Sequence, residues 1–343
     1  MTSRAGTGKP QEDQCTKRGR DHKGELWAEA RSLESGVWSL EQKKGLGTPD
    51  SGLRTPDSGL MAFFGSMHDA AVWTLAFTLL DWPERQKAAL WEEVQQGRLT
   101  GLPGPIAKDL ERMREALPGR REEARSLGAR LLLPGDPGAD RLLAHLPYPV
   151  ALWVRGSLPP EQGVLAIVGS RQATRRGLER ARTWAREFSA AGVSVLSGLA
   201  RGIDGAAHEG ALEAGPTWGV LGSGLSHPYP AEHTPLMERM VRAGGGVLTP
   251  FPPEAQPLKW HFPRRNLLLV TWSLGVLVIE AGIRSGSLVT AKLALDHGKE
   301  LWVCPGAPED PSAAGPNRLL REGAARICMS PGNLLTDLTS IAL

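Results

Sequence analysis

From residue 164 onward the chain alternates short, wholly apolar runs with amphipathic stretches of helical length, and this alternation restricts its fold more than any other feature. Runs at 164–168, 193–196, 217–221, 247–249, 276–279 and 300–303 read as strands. Stretches at 174–191, 203–214, 230–243 and 287–297 read as helices between them, and a last helix–strand pair runs to Met329. A strand that is apolar at every position is buried on both faces, as in a parallel sheet covered by helices on each side. The expected class is α/β: a doubly wound, mostly parallel sheet whose ligands bind at the carboxyl ends of the strands.

Upstream the pattern changes. Residues 70–146 are leucine-rich, with an apolar stretch at 72–80, amphipathic ones at 84–94 and 106–117, and a break at Gly101-Leu102-Pro103-Gly104-Pro105. They read as a small all-helical domain over 61–146. Residues 147–163, with Leu146-Pro147-Tyr148-Pro149 and Leu158-Pro159-Pro160, read as a linker into a domain over 164–330, and 331–343 as a short tail. Residues 1–60 are polar, and Thr48-Pro49-Asp50-Ser51-Gly52-Leu53 recurs as Thr55-Pro56-Asp57-Ser58-Gly59-Leu60. Such sequence cannot offset its ordering entropy by burial, so it is expected to be disordered or an untranslated extension upstream of a true start at Met61.

Bulk charge decides little: a net +3 over 343 residues is too small to announce a polyanion partner, so electrostatics must be local. The three cysteines, Cys15, Cys304 and Cys328, belong to no CxxC or Cys/His cluster, which excludes a disulfide framework and a structural zinc site. With no run of ~18 apolar residues and no signal-peptide core, a cytoplasmic location without membrane contact is expected.

The strand ends carry the chemistry. Val168-Gly169-Ser170-Arg171 opens into a helix: glycine permits close approach, serine and the helix N-terminus donate, and arginine supplies charge for a phosphate, although a plain structural turn reads equally well. Ser197-Gly198-Leu199-Ala200-Arg201-Gly202-Ile203-Asp204 is a second glycine-bracketed turn. Asp204 and His208, four apart, are too few ligands for a metal, and Asp204 reads as a first-turn carboxylate. Residues 250–266 read as a Pro-rich loop ending in Lys259-Trp260-His261-Phe262-Pro263-Arg264-Arg265-Asn266, with no acid between Glu254 and Glu280. Cations that hold phosphates beside a ring that stacks on an unpaired base suit a single nucleic-acid strand. The alternative is a solvated loop with Trp260 and Phe262 anchored in the core. Glu280 is the strand-end carboxylate here, expected to hold Arg171 or Arg265 by a charge-assisted hydrogen bond. Ser285-Gly286-Ser287 opens the following helix and offers amides and hydroxyls to an anion.

In order, Ile167-Val168-Gly169-Ser170-Arg171, Ser197-Gly198-Leu199-Ala200, Gly202-Ile203-Asp204, Ala207-His208, Tyr229-Pro230, Phe262-Pro263, Arg265-Asn266, Glu280-Ala281, Ser285-Gly286-Ser287 and Pro305-Gly306 resemble the signature of the DprA/Smf (DNA-processing protein A) family, over roughly residues 150–328. The resemblance implies an extended Rossmann-like fold preceded by a sterile-alpha-motif-like helical domain. It further implies single-stranded DNA binding, homodimerisation and loading of RecA in natural transformation, with no enzymatic turnover, cofactor or metal. On that basis the DNA-binding residues are Gly169, Ser170, Arg171, Gly198, Ala200, Gly202, Lys259, Phe262, Arg264, Arg265, Asn266, Glu280, Ser285, Gly286 and Ser287. Gly169, Ser170, Arg171 and Lys259 would form a phosphate pocket and Phe262 would meet a base.

The chain departs from the family pattern at Leu267, where an arginine is usual, at Pro250, where a glutamate is usual, and at Ser226 and His233, which replace Asp and Asn. It ends soon after Asp337, so the winged-helix-like domain of many members is expected to be absent. The competing reading is a Rossmann-like nucleotide hydrolase of the phosphoribohydrolase type, but the turn at Ser285-Gly286-Ser287-Leu288-Val289-Thr290-Ala291 lacks the acid those enzymes use.

Overall fold

The structure, a computed structural model, describes residues 67–79, 84–96, 104–143 and 146–341. The readings made for 1–60, for Met61 and for Gly101-Leu102-Pro103 fall outside these residues. The frame is a nine-stranded sheet: β1 (Ala129–Leu132), β2 (Leu152–Gly156), β3 (Val164–Val168), β4 (Ser194–Ser197), β5 (Thr217–Val220), β6 (Gly246–Thr249), β7 (Gly275–Val278), β8 (Glu300–Val303) and β9 (Arg326–Ile327). Their order is β1-β2-β6-β5-β4-β3-β7-β8-β9. From β6 through to β9 every pairing is parallel, and β1 and β2 add to the β6 edge antiparallel. The α/β, mostly parallel class read from the sequence is the observed one. Since β4, β5 and β6 run out on one side of β3 and β7, β8 and β9 on the other, the topological switch point lies at the carboxyl ends of β3 and β7.

The continuous apolar runs are explained by two-sided burial. In β3, Val164, Ala166 and Val168 enter one core while Leu165 and Ile167 enter the opposite one, and β7 divides Val276 and Val278 from Leu277 in the same way. The first face is covered by α8 (His261–Thr271), through Leu268, Leu269 and Val270, and by α9 (Ser287–Asp296), through Ala291 and Ala294. The second is covered by α5 (Arg175–Ala190), through Ala181, Ala185 and Phe188, by α6 (Ile203–Ala211), through Ile203, Ala207 and Ala211, and by α11 (Pro331–Ile341), through Leu334 and Leu338. The remaining helices are α1 (Met67–Leu79), α2 (Glu84–Gln95), α3 (Gly104–Ser126), α4 (Ala139–Leu143), α7 (Thr234–Arg242) and α10 (Ala314–Arg321).

Three boundaries differ from expectation. The segment over 61–146 is not all helical, because β1 lies within it, and residues 147–163 are not a plain linker, because they contain β2. Leu131-Leu132 looks helical by composition, and it becomes a strand because β2, itself paired to β6, offers a free edge. The amide of Ala151 donates to Thr78 Oγ1 at 2.7 Å, tying α1 to the start of β2, and Trp73 stacks on Phe77 at 4.5 Å within the core shared with the sheet. Residues 331–341 form α11 rather than a tail, since Leu334 and Leu338, four apart, complete the second core.

Candidate functional site

The β3 end is shaped by contacts within the protein. Gly169 is buried, and a Cβ there would come within 2.5 Å of the Ile203 side chain, so its role is close approach of α6. The Ser170 amide donates to the Glu280 carbonyl at 2.7 Å and the Ile203 amide donates to the Ser170 carbonyl at 3.2 Å, joining the loops after β3, β4 and β7. Arg171 is exposed.

The β4 end is a tight loop wrapped around Asp204. Its Oδ2 accepts from the amides of Gly198 (3.2 Å) and Ala200 (3.4 Å), so Asp204 organises the turn from the first turn of α6. Leu199 takes a left-handed φ of 56°, uncommon for a residue with a branched side chain, and His233 Nδ1 donates to its carbonyl at 2.9 Å. Gly202, at φ 78°, lies against the Ser170 carbonyl with no room for a Cβ. Here a side chain is excluded by both conformation and contact.

Expected to be a loop through Asn266, the basic-aromatic segment becomes helical at His261. Pro263 is harmless in the first turn of α8, where the amide it lacks would be unpaired, and Leu267–Val270 anchor the helix in the first core. This brings Phe262 over the strand ends. The half-buried ring lies across the loop after β5, where a Cβ on Gly222 would come within 2.8 Å of it. Tyr229 meets it edge-on at 5.8 Å, and the Arg171 guanidinium sits over it at 4.8 Å. Arg201 lies over Tyr229 at 5.9 Å.

The two arginines that follow are buried. Arg265 donates through Nη1 to the carbonyls of Gly198 and Val220 and through Nε to Asn266 Oδ1 at 3.0 Å, cross-linking the ends of β4 and β5. Burial pulls its guanidinium down to about 10, opposed by the nearby Asp204, so it remains charged at neutral pH. Burial pushes the Asp204 carboxyl up against the pull of Arg265 and the Ala200 and Gly198 amides. Arg264 lies over Phe251 at 5.4 Å, and Phe251 stacks on His261 at 3.8 Å.

Glu280 does not hold Arg171 or Arg265 as expected. It accepts from the Thr174 amide at 2.8 Å and from Thr174 Oγ1 at 2.6 Å, and the absence of a side chain at Gly177 makes space for its carboxylate. Thr174 in turn caps α5 by accepting from the Gly177 amide at 3.0 Å. A carboxylate one strand removed thus fixes the helix that follows Arg171. Across the switch point, Ser285 Oγ and Ser287 Oγ lie 2.7 Å apart at the start of α9, with Gly286 exposed between them, and Lys259 is exposed in the turn before α8.

Gly169, Ser170, Arg171, Gly198, Gly202, Phe262 and Arg265 are therefore brought into one cluster, with Ala200, Arg264, Asn266 and Glu280 as its buried or half-buried support. The sequence reading did not assign the Tyr229–Arg201 pair to the site, although Tyr229-Pro230 is part of the family pattern and Arg201 lies in the glycine-bracketed turn after β4. Among the described residues no three His, Cys, Asp or Glu side chains converge on a metal position, and no helix is long and apolar enough to cross a membrane.

Comparison with known proteins agrees with this frame. Protein Smf of Escherichia coli (strain K12) is 41% identical over 211 residues, covering 60% of this chain and 56% of the relative. DNA processing protein DprA of Bacillus subtilis (strain 168) is 38% identical over 182 residues, covering 52% and 61%. The chain thus spans less than two thirds of the length of either relative. Among solved structures, DNA processing protein A from Streptococcus pneumoniae superposes with a TM-score of 0.63 at 26% identity, covering 79% of this chain and 97% of that one. DNA processing protein A from Helicobacter pylori, studied for its single-stranded DNA binding mode, gives 0.53 at 28% identity, covering 58% and 92%. The family profile described as DNA recombination-mediator protein A matches residues 130–339, more than half of the chain, and the protein belongs to that DprA/Smf family.

Proposed function

We propose that this protein binds single-stranded DNA in the cleft at the carboxyl ends of β3, β4 and β5, without turnover. The observation that carries the reading is the exposed Arg171 guanidinium 4.8 Å over the half-buried Phe262 ring, at the edge of the sheet where this fold class binds its ligands. An exposed cation–π contact contributes only ~0.5–1 kcal/mol, whereas a base stacked on an aromatic ring contributes ~1–3 kcal/mol. A base can therefore displace the guanidinium, which swings to the adjoining phosphate. Lys259 and the Ser285-Gly286-Ser287 turn extend the anion-binding surface to either side. The two strand-end acids are engaged in structure, Glu280 with Thr174 and Asp204 with the loop after β4, so neither carboxylate stands free to serve a hydrolase as general base.

Titration with oligonucleotides tests this. Single strands should bind more tightly than duplex, and affinity should fall with salt at a log–log slope of ~0.7 per phosphate contact. Arg171→Ala and Lys259→Ala should weaken binding to every sequence, Arg171→Lys restoring part because an ammonium lacks the bidentate fork. Phe262→Ala should lose ~1–3 kcal/mol of binding and Phe262→Trp retain most of it. Equal affinity for duplex and single strand, or wild-type binding in the Arg171 and Phe262 variants, would remove the cleft from the account.

As in the family it resembles, the protein is further proposed to act in the cytoplasm, to pair as a homodimer through the α/β domain and to pass its bound strand to RecA. Sedimentation at micromolar concentration should give a dimer. Monomers throughout, with no effect on RecA filament assembly on a coated strand, would count against both.

A further inference from the structure

Resting on the single-strand reading, we infer that Trp260 is a second base-stacking platform, so that the bound strand runs along the sheet edge from the β3 end past Phe262 to the β6 end. Trp260 leaves 46% of its surface exposed, although a tryptophan in a folded chain ordinarily buries most of its area. Its neighbours hold the ring without covering it. His261 meets it at 4.1 Å and 80°, and Phe251 at 6.1 Å and 78°. Both contacts are perpendicular, and among the described residues no ring stacks parallel to the indole. The support beneath is rigid, because Phe251 is itself buried, stacked on His261 at 3.8 Å, with the Arg264 guanidinium at 5.4 Å on its ring.

The position of this stack gives the direction. Phe262 lies over the loop after β5 and under Arg171 from the loop after β3, whereas Trp260 lies against Phe251, two residues past the end of β6. Strands β5 and β6 are adjacent, so the two rings stand over neighbouring strand ends, along which successive unpaired bases of one strand can pass. Each has an exposed cation beside it: Arg171 at Phe262, and Lys259 next in sequence to Trp260. An exposed ring on a rigid base gains little for the fold but loses little entropy when it stacks on a ligand, which is the economy expected of a binding aromatic.

A length series separates this role from others. Oligo(dT) strands of increasing length are titrated into wild-type protein and into Trp260→Ala, Trp260→Phe and Trp260→Leu, with melting temperatures measured in parallel. Trp260→Ala should bind the shortest strands that register binding as wild type does, and fall behind by ~5- to 100-fold once the strand is long enough to reach the second ring. Phenylalanine should restore most of that loss and leucine little, with melting temperatures unchanged. Wild-type affinity of Trp260→Ala at every length overturns the inference while leaving the Phe262 cleft intact. A leucine variant as good as wild type overturns it too, since Trp260 and the equally exposed Leu258 would then form a simple apolar contact. Failure of wild-type protein to bind any single strand would sink the cleft reading and this inference together.

Discussion

Arg265→Ala should cost the fold ~3–5 kcal/mol, a loss read directly as a lower urea midpoint at unchanged slope. The side chain is only 4% exposed, and its Nη1 is the donor for two strand-end carbonyls, Gly198 and Val220. Truncation leaves both acceptors buried without that donor, each costing ~1–3 kcal/mol, and removes the charge that opposes desolvation of Asp204. Because Asp204 accepts from the Gly198 and Ala200 amides, the turn that carries Leu199 at positive φ should loosen as well. Arg265→Lys should recover part of the stability, since an ammonium reaches one carbonyl but lacks the planar fork that bridges two strands. DNA binding by the residual folded fraction should weaken only through the loosened turn and the Phe262 ring that the Arg265 guanidinium faces at 6.0 Å, and by less than in Arg171→Ala. A variant as stable as wild type that no longer binds single strands would instead make Arg265 a ligand contact, as its place in a basic run suggested.

That contrast shows what the sequence made legible. The parallel sheet could be read because a strand buried on both faces must be apolar throughout, and β3 and β8 fall at 164–168 and 300–303 as expected. Strand-end glycines marked the site for a related reason, since Gly169 and Gly202 sit where no Cβ fits. The antiparallel strand β1 was illegible because Leu131-Leu132 has no period of its own and becomes extended only by pairing with a distant edge. The partner of Glu280 was also hidden. Two arginines were the obvious choice on charge, but the carboxylate instead meets the cap of α5, a neutral hydroxyl and amide whose proximity depends on the absence of a side chain at Gly177. Charge patterning likewise could not tell Arg171, exposed and over a ring, from Arg265, buried and bound to carbonyls. The distinction is made by place in the fold: Arg171 stands in the exposed loop after β3, whereas Arg265 lies in α8, which is buried from Arg264 to Thr271.

Lowering the pH from 6.5 to about 4.5 should destabilise the protein, and His208 should be the largest single source, at ~2–3 kcal/mol over that interval. His208 is fully buried in α6. Thr217 Oγ1 gives its one proton to the Val195 carbonyl at 2.8 Å, so it accepts from His208 Nδ1 at 2.9 Å, and this fixes the neutral tautomer with Nε2 bare. Nε2 has no hydrogen-bond partner, and a proton placed there would put a charge in the second core within reach of His233 and Arg265. Burial foremost, then these two neighbours, pulls His208 from 6.5 to about 3. The sign follows from proton uptake: below about pH 6.5 the unfolded chain binds a proton that the native state refuses until about pH 3, so the contribution is complete above 6.5 and is lost as pH falls. His261, drawn down to about 4, and His297, also drawn down by burial, add to the slope with the same sign. Asp204 opposes them, because a carboxyl pushed up by burial holds its proton more tightly in the folded state. Comparing wild type with His208→Gln isolates one group from this sum. The variant is less stable at neutral pH, but its urea-unfolding free energy should fall less steeply on acidification, by up to ~1.4 kcal/mol per pH unit. Parallel curves for the two proteins between pH 6.5 and about 4.5 would show that His208 is protonated in the native state and that its ring is not sealed in the core.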